Sequence, residues 1–240
     1  MDKPRYEPVT LESGNVYEGE WNSLHQCHGY GILTWPDGSR YEGNWENDKP
    51  SGKGKHNNSD GSWYEGNYFN GEKSGFGVYQ SEDGCKYEGY FLNDAKHGRG
   101  IETYPDGFKY EGDFANGVKE GHGTISFPDG SSYDGGFKDS KLHGEGTYNF
   151  SDGRNYTGGW NYSKMHGKGN FKFPDGRCYE GNYVDDVKEG FGIFKWPDGR
   201  RYEGEWHEGK QHGKGVHIAQ DGTKREGEWE NGRRVRWLDE

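Results

Sequence analysis

The sequence predicts an all-β fold, an elongated single-layer antiparallel meander of about ten 23-residue hairpin repeats that forms a twisted rod with a groove. Three observations predict it. A motif recurs at a fixed short period, aromatic residues alternate with glycine inside each period, and an Asp-Gly turn separates one period from the next. Because each unit of such a chain packs on its neighbours, no large central core is needed.

The period is marked by the aromatic residue of a recurring Tyr-x-Gly, in which x is usually Glu. The first interval is 24 residues, the later intervals are 23 residues, and Arg225 occupies the tenth marker position. This period predicts an N-terminal half-repeat cap over residues 1–16, nine repeats over 17–224, and a truncated tenth repeat with a C-terminal cap over 225–240. The marker tyrosines are Tyr17, Tyr41, Tyr64, Tyr87, Tyr110, Tyr133, Tyr156, Tyr179 and Tyr202.

A second aromatic residue follows each marker position by four residues. Positions two apart on a strand share a face, so the marker, the second aromatic and the Gly between them line one side of the sheet, here called the aromatic face. The following Gly-x-Gly and alternating residues such as Phe171 and Phe173 predict a second strand on the same face. The second aromatics are Trp21, Trp45, Tyr68, Phe91, Phe114, Phe137, Trp160, Tyr183, Trp206 and Trp229.

Two kinds of connection join these strands. Pro-Asp-Gly or Ser-Asp-Gly links one repeat to the next, because glycine accepts the positive φ that a tight turn requires. The connection inside each repeat, for example residues 46–51, is expected to be longer and looser. Neither link has room for a crossover helix, so neighbouring strands should be antiparallel.

Composition sets limits on the class of protein. A net charge of −11 and a mean hydropathy of −1.32 are typical of disordered chains, but the fixed phase of the aromatic residues favours a folded one. The acidic balance disfavours nucleic-acid partners. Three cysteines in separate repeats are expected to be reduced, and no stretch reads as a signal peptide or a membrane span, so we expect a cytoplasmic protein.

No catalytic, cofactor or metal residues are predicted. The recurrent His-Gly places single histidines about one repeat apart, which is too far for a common tetrahedral metal site, and we interpret them as residues that end a loop. The glutamates of the marker motif form a regular exposed column rather than a pocket. The sequence therefore predicts a protein without enzymatic activity of its own.

The aromatic face is the predicted partner-binding site, because a single-layer sheet has no second layer to cover it. The expected partner is an amphipathic helix or an extended peptide laid along the face. The residues predicted to contact it are Tyr17, Trp21, Tyr41, Trp45, Tyr64, Tyr68, Tyr87, Phe91, Tyr110, Phe114, Tyr156, Trp160, Tyr179, Tyr183, Tyr202, Trp206 and Trp229.

Lysines in the connection inside each repeat suggest alternatives. They could form an edge that contacts a lipid headgroup layer or another acidic surface, although acidic neighbours weaken that edge. A peripheral membrane tether that recognises acidic phospholipids, and a self-assembling dimeric or oligomeric scaffold, therefore remain alternatives to protein binding. The lysines concerned are Lys49, Lys73, Lys96, Lys119, Lys188 and Lys210.

The motifs also resemble a known family. Tyr-Glu-Gly-x-Trp, then Lys-x-His-Gly-x-Gly and Pro-Asp-Gly in 23-residue units, resembles the MORN (membrane occupation and recognition nexus) repeat, and residues 202–215 are a near-ideal copy. The resemblance covers about residues 8–232. It implies a scaffold or protein-binding module of cilia, flagella or the cytoskeleton, similar to radial-spoke-head-like proteins. We therefore expect an axonemal location, with subunits of axonemal or cytoskeletal complexes as partners.

Overall fold

The computed structural model describes residues 6–238, and their regular structure consists of β-strands with no helix. No helix in this range could cross a membrane. The chain divides into two compact units, the first ending at Val118 and the second starting at Lys119. Parts of the two predicted caps lie outside the described residues. These parts are residues 1–5 of the cap over 1–16 and residues 239–240 of the cap over 225–240.

The first unit is a meander in which each strand pairs antiparallel with the next one along the chain. Its strands are β1 (Val9–Thr10), β2 (Val16–Trp21), β3 (Cys27–Thr34), β4 (Arg40–Glu46), β5 (Lys49–Asn57), β6 (Trp63–Phe69), β7 (Glu72–Gln80), β8 (Lys86–Leu92), β9 (Ala95–Thr103) and β10 (Lys109–Ala115).

The second unit has the same antiparallel order of consecutive strands. Its strands are β11 (Val118–Ser126), β12 (Ser132–Lys138), β13 (Lys141–Asn149), β14 (Asn155–Asn161), β15 (Lys164–Lys172), β16 (Cys178–Val184), β17 (Val187–Lys195), β18 (Arg201–His207), β19 (Lys210–Ile218), β20 (Lys224–Glu230) and β21 (Arg233–Trp237). The predicted all-β antiparallel meander of hairpin repeats is confirmed.

In the first repeat residues 22–26 form a longer connection between Trp21 and Cys27, but the following turns inside repeats are tighter than the expected loose connection. Glu46 pairs directly with Lys49, so residues 47 and 48 alone form the turn. Both have positive φ, +50° at Asn47 and +68° at Asp48, as a tight hairpin turn requires. Asn and Asp tolerate this conformation, which explains how the chain turns here without Gly-Gly. The Asp48 carboxylate also accepts a hydrogen bond from the Cys27 amide at 2.7 Å, which ties the turn to the preceding repeat.

The turn between repeats follows the prediction. At the first of them Gly38 has a φ of +90°, and Asp37 accepts a hydrogen bond from the Ser39 amide at 2.9 Å. The carboxylate of Asp37 is fully exposed, and these hydrogen bonds lower its pKa. Equivalent Asp-to-amide bonds recur at Asp106, Asp175 and other turns. Each aspartate thus supports the turn that its following glycine makes possible.

The marker tyrosines form the core of both units. Each is between 0% and 1% exposed. The Tyr41 ring lies over the paired glycines Gly43 and Gly54, where a Cβ added to Gly54 would sit 2.2 Å from the Tyr41 hydroxyl oxygen. The same ring meets Trp45 and Tyr68 edge-on, with ring centroids 5.0 and 5.2 Å apart. Bare glycines and edge-on rings therefore replace a second layer of structure.

Polar atoms of the buried rings are mostly satisfied. The Tyr156 hydroxyl donates to the Gly159 carbonyl at 2.9 Å, and the Trp45 indole N–H donates to the Gly31 carbonyl at 3.1 Å. Tyr68 and Tyr183 are exceptions, because their buried hydroxyls have no hydrogen-bond partner in the described part of the chain. Burial raises the pKa of the Tyr156 and Tyr183 hydroxyls. It also raises the pKa of the marker tyrosine Tyr64, to about 12.

The tenth marker position is filled differently. Arg225 and Arg234 place their guanidinium groups on the Trp237 ring, each 4.1 Å from its centroid. Arg236 donates to Glu228 at 2.7 Å beside them. In the tenth repeat, arginine side chains stacked on a tryptophan ring therefore take the place that a marker tyrosine has in the earlier repeats.

We predict that Gly54→Ala destabilises the protein by about 3 kcal/mol, because the new methyl group enters the space of the Tyr41 ring and of its edge-on partners. Urea unfolding followed by tryptophan fluorescence measures this. The matched control is Lys53→Ala, which changes an exposed neighbour on the same strand and should stay within about 0.5 kcal/mol. Equal effects of the two substitutions would contradict the packing described here.

A second prediction concerns two tyrosine hydroxyls. Tyr156→Phe should cost about 1 kcal/mol, because the Gly159 carbonyl loses its donor. Tyr183→Phe should be neutral or stabilising by up to about 1 kcal/mol, because it removes a buried hydroxyl without a partner in the described chain. Urea unfolding of both variants measures the difference, and a larger loss for Tyr183→Phe would show that its hydroxyl is bonded.

Candidate partner-binding face

The structure buries nearly all of the residues predicted to contact a partner. Trp21 is 38% exposed, whereas every other member of that set is between 0% and 8% exposed. The set includes Tyr183 at 3% and Trp206 at 7%. These rings contact one another and the glycines of the neighbouring strands. Their contact with a partner stays a prediction, and in this conformation Trp21 alone among them offers a sizeable ring surface.

The six lysines of the predicted edge occupy two different positions within their strands. Lys49 and Lys210 are the first residues of β5 and β19 and are exposed. Lys73, Lys96 and Lys188 are the second residues of their strands and lie over aromatic rings on the aromatic face. Lys119 is likewise the second residue of β11 and is half-buried. These lysines therefore do not form one surface, and their contact with lipid stays a prediction.

A row of rings with more exposure runs along the aromatic face of the second unit. It consists of the residues that follow Gly-x-Gly on alternate strands, and neighbouring centroids are 4.6 to 6.4 Å apart. Phe171 and Phe194 are buried, while the other members are half-exposed. This ring row comprises Phe127, Tyr148, Phe150, Phe171, Phe173, Phe194 and Trp196.

The ring row is not among the sites predicted from the sequence. Phe171 and Phe173 indicated only a strand there, because the marker and second aromatics dominate the repeat. The signal was present in the alternating aromatic residues before each turn. Tyr156 pairs across the strands with Phe171, and Tyr179 pairs with Phe194, so the buried core supports each ring from one side.

Arginines border the ring row. The Arg154 guanidinium lies 4.7 Å from the Phe150 centroid, and Arg177 lies 5.0 Å from that of Phe173. Arg200 occupies the same place beside Trp196, at 5.7 Å. Each Nε donates at 2.7 Å to the aspartate of the preceding turn, which fixes the planar side chain against the ring. The half-exposed rings are therefore bordered by oriented cations.

An open groove of about 350 Å³ lies beside these rings within the second unit. It is lined by apolar groups of Met165, Phe171, Phe173 and Val187, by Tyr183, and by Lys188, Asp186 and Gly209.

Lys188 is the cation of this groove. Its ammonium is 4.7 Å from the Tyr179 centroid, 4.9 Å from that of Trp206 and 5.1 Å from that of Phe194. Burial, and to a smaller extent the charge of Arg177, lowers the pKa of Lys188 to about 8. At neutral pH the groove therefore presents a desolvated cation beside apolar walls.

The equivalent row in the first unit is more polar. Trp35 stacks on His56 at 5.0 Å, and Glu102 occupies a position that Phe194 has in the second unit. Glu102 is 6% exposed and accepts hydrogen bonds from the Lys96 ammonium and, at 3.0 Å, from the Tyr104 hydroxyl. The continuous apolar surface is therefore a property of the second unit.

The opposite face of the first unit carries a wider and more charged cavity. It has a volume of about 680 Å³ and is lined by Tyr30, Phe76 and the side chains of Glu42, Lys53, Lys55, Glu65 and Asn67. Lys55 and Glu65 form an ion pair at 3.2 Å across it. Charged side chains make up much of its lining, so this face offers a less apolar surface than the ring row.

Metal and thiol chemistry have little support in the described chain. Residues 6–238 contain no group of three or more His, Cys, Asp and Glu side chains that could hold a metal ion. The three cysteines are free thiols. Burial raises the pKa of Cys27 to about 11, which keeps it protonated and weakly nucleophilic at neutral pH.

Comparison with solved structures found matches of low similarity. The TCP10 domain of Danio rerio CPAP, in complex with a STIL peptide, is 16% identical with a TM-score of 0.35, over 97% of this chain and 98% of that one. The TCP domain of Drosophila melanogaster SAS-4, in complex with a proline-rich motif of Ana2, is 16% identical with a TM-score of 0.40, over 75% and 90%. With TM-scores below 0.5, neither likeness supports a functional argument. A search of curated proteins found no match.

The family comparison covers most of the chain. The model of the MORN repeat matches ten consecutive segments, at residues 17–40, 41–63, 64–86, 87–109, 110–132, 133–153, 156–176, 179–200, 202–224 and 226–235. Their limits follow the marker positions that define the hairpin repeats. The chain therefore belongs to the MORN repeat family.

Proposed function

We propose that this protein is a non-enzymatic scaffold that binds protein partners through the aromatic face of its second unit. The ring row carries the proposal. Its half-exposed members form a continuous surface, and aromatic residues bordered by arginine are common at the centres of protein interfaces. The marker tyrosines serve the scaffold itself, because their rings are already covered.

The spacing of the ring row favours an extended partner segment over a helix. Equivalent rings lie two strands apart, which is about 9.6 Å along the sheet. A polyproline II segment returns to the same side every three residues, about 9.3 Å along its axis. An α-helix presents the same side again after seven residues, about 10.5 Å along its axis. This distance exceeds the ring spacing, so a helix would lose register with the rings over several repeats. An extended peptide with an apolar residue at every third position therefore fits the row best.

We propose that the partners are subunits of an axonemal or cytoskeletal complex. The resemblance to radial-spoke-head-like MORN proteins supports this placement. Membrane tethering has weaker support, because the lysines that would carry it occupy two different positions within their strands and several lie over rings. Self-association remains an alternative that the partner experiment also measures.

The proposal predicts that Phe173→Ser combined with Trp196→Ser reduces partner capture more than tenfold, because two half-exposed anchors of the ring row are lost. Capture from an extract of ciliated cells, quantified by mass spectrometry, measures this. The matched control is Phe191→Ser, which removes a 58% exposed ring from the opposite face of the same unit. Circular dichroism confirms the fold of each variant. Equal capture by the wild type and the double variant would contradict the proposal.

The cellular placement predicts that the tagged full chain remains with axonemal tubulin after detergent extraction of ciliated cells. Protein held by structural contacts withstands removal of the membrane, whereas a lipid tether does not. Immunoblotting of the detergent-soluble and axonemal fractions measures the distribution. Recovery in the detergent-soluble fraction would reject the axonemal placement and leave the binding face open to other partners.

A further inference from the structure

Lys188 is a half-buried cation for which the described part of the chain provides no ion-pair partner. Two acids close to it in sequence, Asp186 and Glu189, are engaged elsewhere. Asp186 accepts a hydrogen bond from the Met165 amide at 2.7 Å, and Glu189 bonds to His207 at 2.8 Å. The Lys188 ammonium lies over three rings instead. A cation removed from water without an anion is costly, so the site favours an anionic group from outside.

The first unit shows what such a lysine contacts when the chain supplies the anion. Lys96 is the second residue of β9, as Lys188 is of β17. Six residues further on, Glu102 forms an ion pair with Lys96 at 2.5 Å. The residue in the same place after Lys188 is Phe194, because Glu102 and Phe194 both pair with the marker tyrosine of the preceding strand. The second unit therefore has the cation and lacks the carboxylate.

A second unpartnered donor lies in the same groove. Tyr183 pairs across the strands with Lys188, and its buried hydroxyl has no hydrogen-bond partner in residues 6–238. Tyr68 and Lys73 repeat this pair in the first unit. There the residues that correspond to Met165, Phe171 and Phe173 are Pro50, His56 and Asn58, so the apolar walls are missing. Within residues 6–238, a lysine without an ion-pair partner, a buried hydroxyl without a hydrogen-bond partner and apolar walls coincide only at the Lys188 groove.

We propose that the Lys188 groove binds an extended acidic peptide segment, with a Glu or Asp carboxylate paired to Lys188 and a neighbouring apolar side chain against Met165, Phe171 and Phe173. The inference rests on the proposed function and names the chemistry of the partner. A carboxylate supplies the anion that Lys188 lacks, and the apolar side chain fills the open volume of the groove. A free phosphate would satisfy the charge but would leave the apolar walls uncovered.

The proposal has a pH dependence with a defined sign. Lys188 is charged below a pKa of about 8 in the free protein and becomes neutral above it. A bound carboxylate favours the charged form, so binding persists somewhat above that pH and is then lost. Charged groups near the site include Arg177 and Asp186. Affinity should therefore decrease when the pH is raised above 8. It should not decrease when the pH is lowered from 8 to 7.

The groove contains a natural spectroscopic reporter. The chain has two methionines, Met1 and Met165, and Met165 lines the groove. The full chain labelled with ¹³C at the methionine methyl groups is titrated with short Gly-Ser peptides that carry one Phe and, beside it, Glu, Gln or Lys. We expect the Met165 methyl resonance to shift with the Glu peptide and to shift little with the Gln or Lys peptide.

Variants assign the effect to Lys188. Lys188→Gln should weaken binding of the Glu peptide about tenfold or more, since a charge-assisted hydrogen bond is lost. Lys188→Arg keeps the positive charge and should retain most of the affinity. Such a difference between the two variants would show that the loss in Lys188→Gln comes from the missing charge. The matched control Lys210→Gln removes an exposed lysine that opens the next repeat's strand and should bind as the wild type does.

Four outcomes would overturn the proposal. Equal shifts with the Glu and Gln peptides would show that the groove binds peptides without using the charge, which leaves the proposed function intact. Unchanged affinity of Lys188→Gln would have the same meaning. A Met165 shift with phosphatidylserine vesicles and none with peptides would make the groove a lipid site. No shift with any probe would reject the groove as a site, whereas the Phe173 and Trp196 capture experiment tests the scaffold separately.

Discussion

The structure depends on one contact, the marker tyrosine ring laid over a pair of glycines on adjacent strands. Tyr41 illustrates it, with Gly43 and Gly54 beneath the ring and Trp45 and Tyr68 at its edges. A single sheet cannot bury a side chain against a second layer, so the missing Cβ atoms provide the space. The hydroxyl then reaches a backbone carbonyl, which satisfies the one polar atom of the ring. The contact recurs along the chain until Arg225 replaces the tyrosine in the tenth repeat, and this explains the constancy of the spacing.

The same contact decides which residues remain available to a partner. Rings at the marker and second positions are covered by each other, whereas the residues beside the turns between repeats have a covered side and an open side. In the second unit these residues are nearly all aromatic, and arginines held by turn aspartates border them. In the first unit the row contains His56 and Glu102 instead. The proposed binding surface therefore uses positions at which the fold tolerates different side chains.

Much of the fold could be predicted from the sequence, and less of the site. Period, strands and Asp-Gly turns are local patterns with direct physical causes. The turn at Asn47 and Asp48 was misjudged because no glycine or proline marks it. Lys49 and Lys73 looked equivalent in spacing, but a difference of one residue on a strand reverses the face. The lack of a carboxylate for Lys188 became visible only when strand register aligned Phe194 with Glu102.

The central claim is that marker tyrosines hold the fold while the ring row binds. Hydroxyl-radical footprinting with mass spectrometry tests it directly, on the free chain and on the captured complex. The account predicts that Tyr156 and Tyr179 are protected in both, that Phe173 and Trp196 are modified in the free chain and protected in the complex, and that Phe191 is modified in both. Modification of the marker tyrosines in the free chain, or protection of Phe191 rather than Phe173 in the complex, would contradict it.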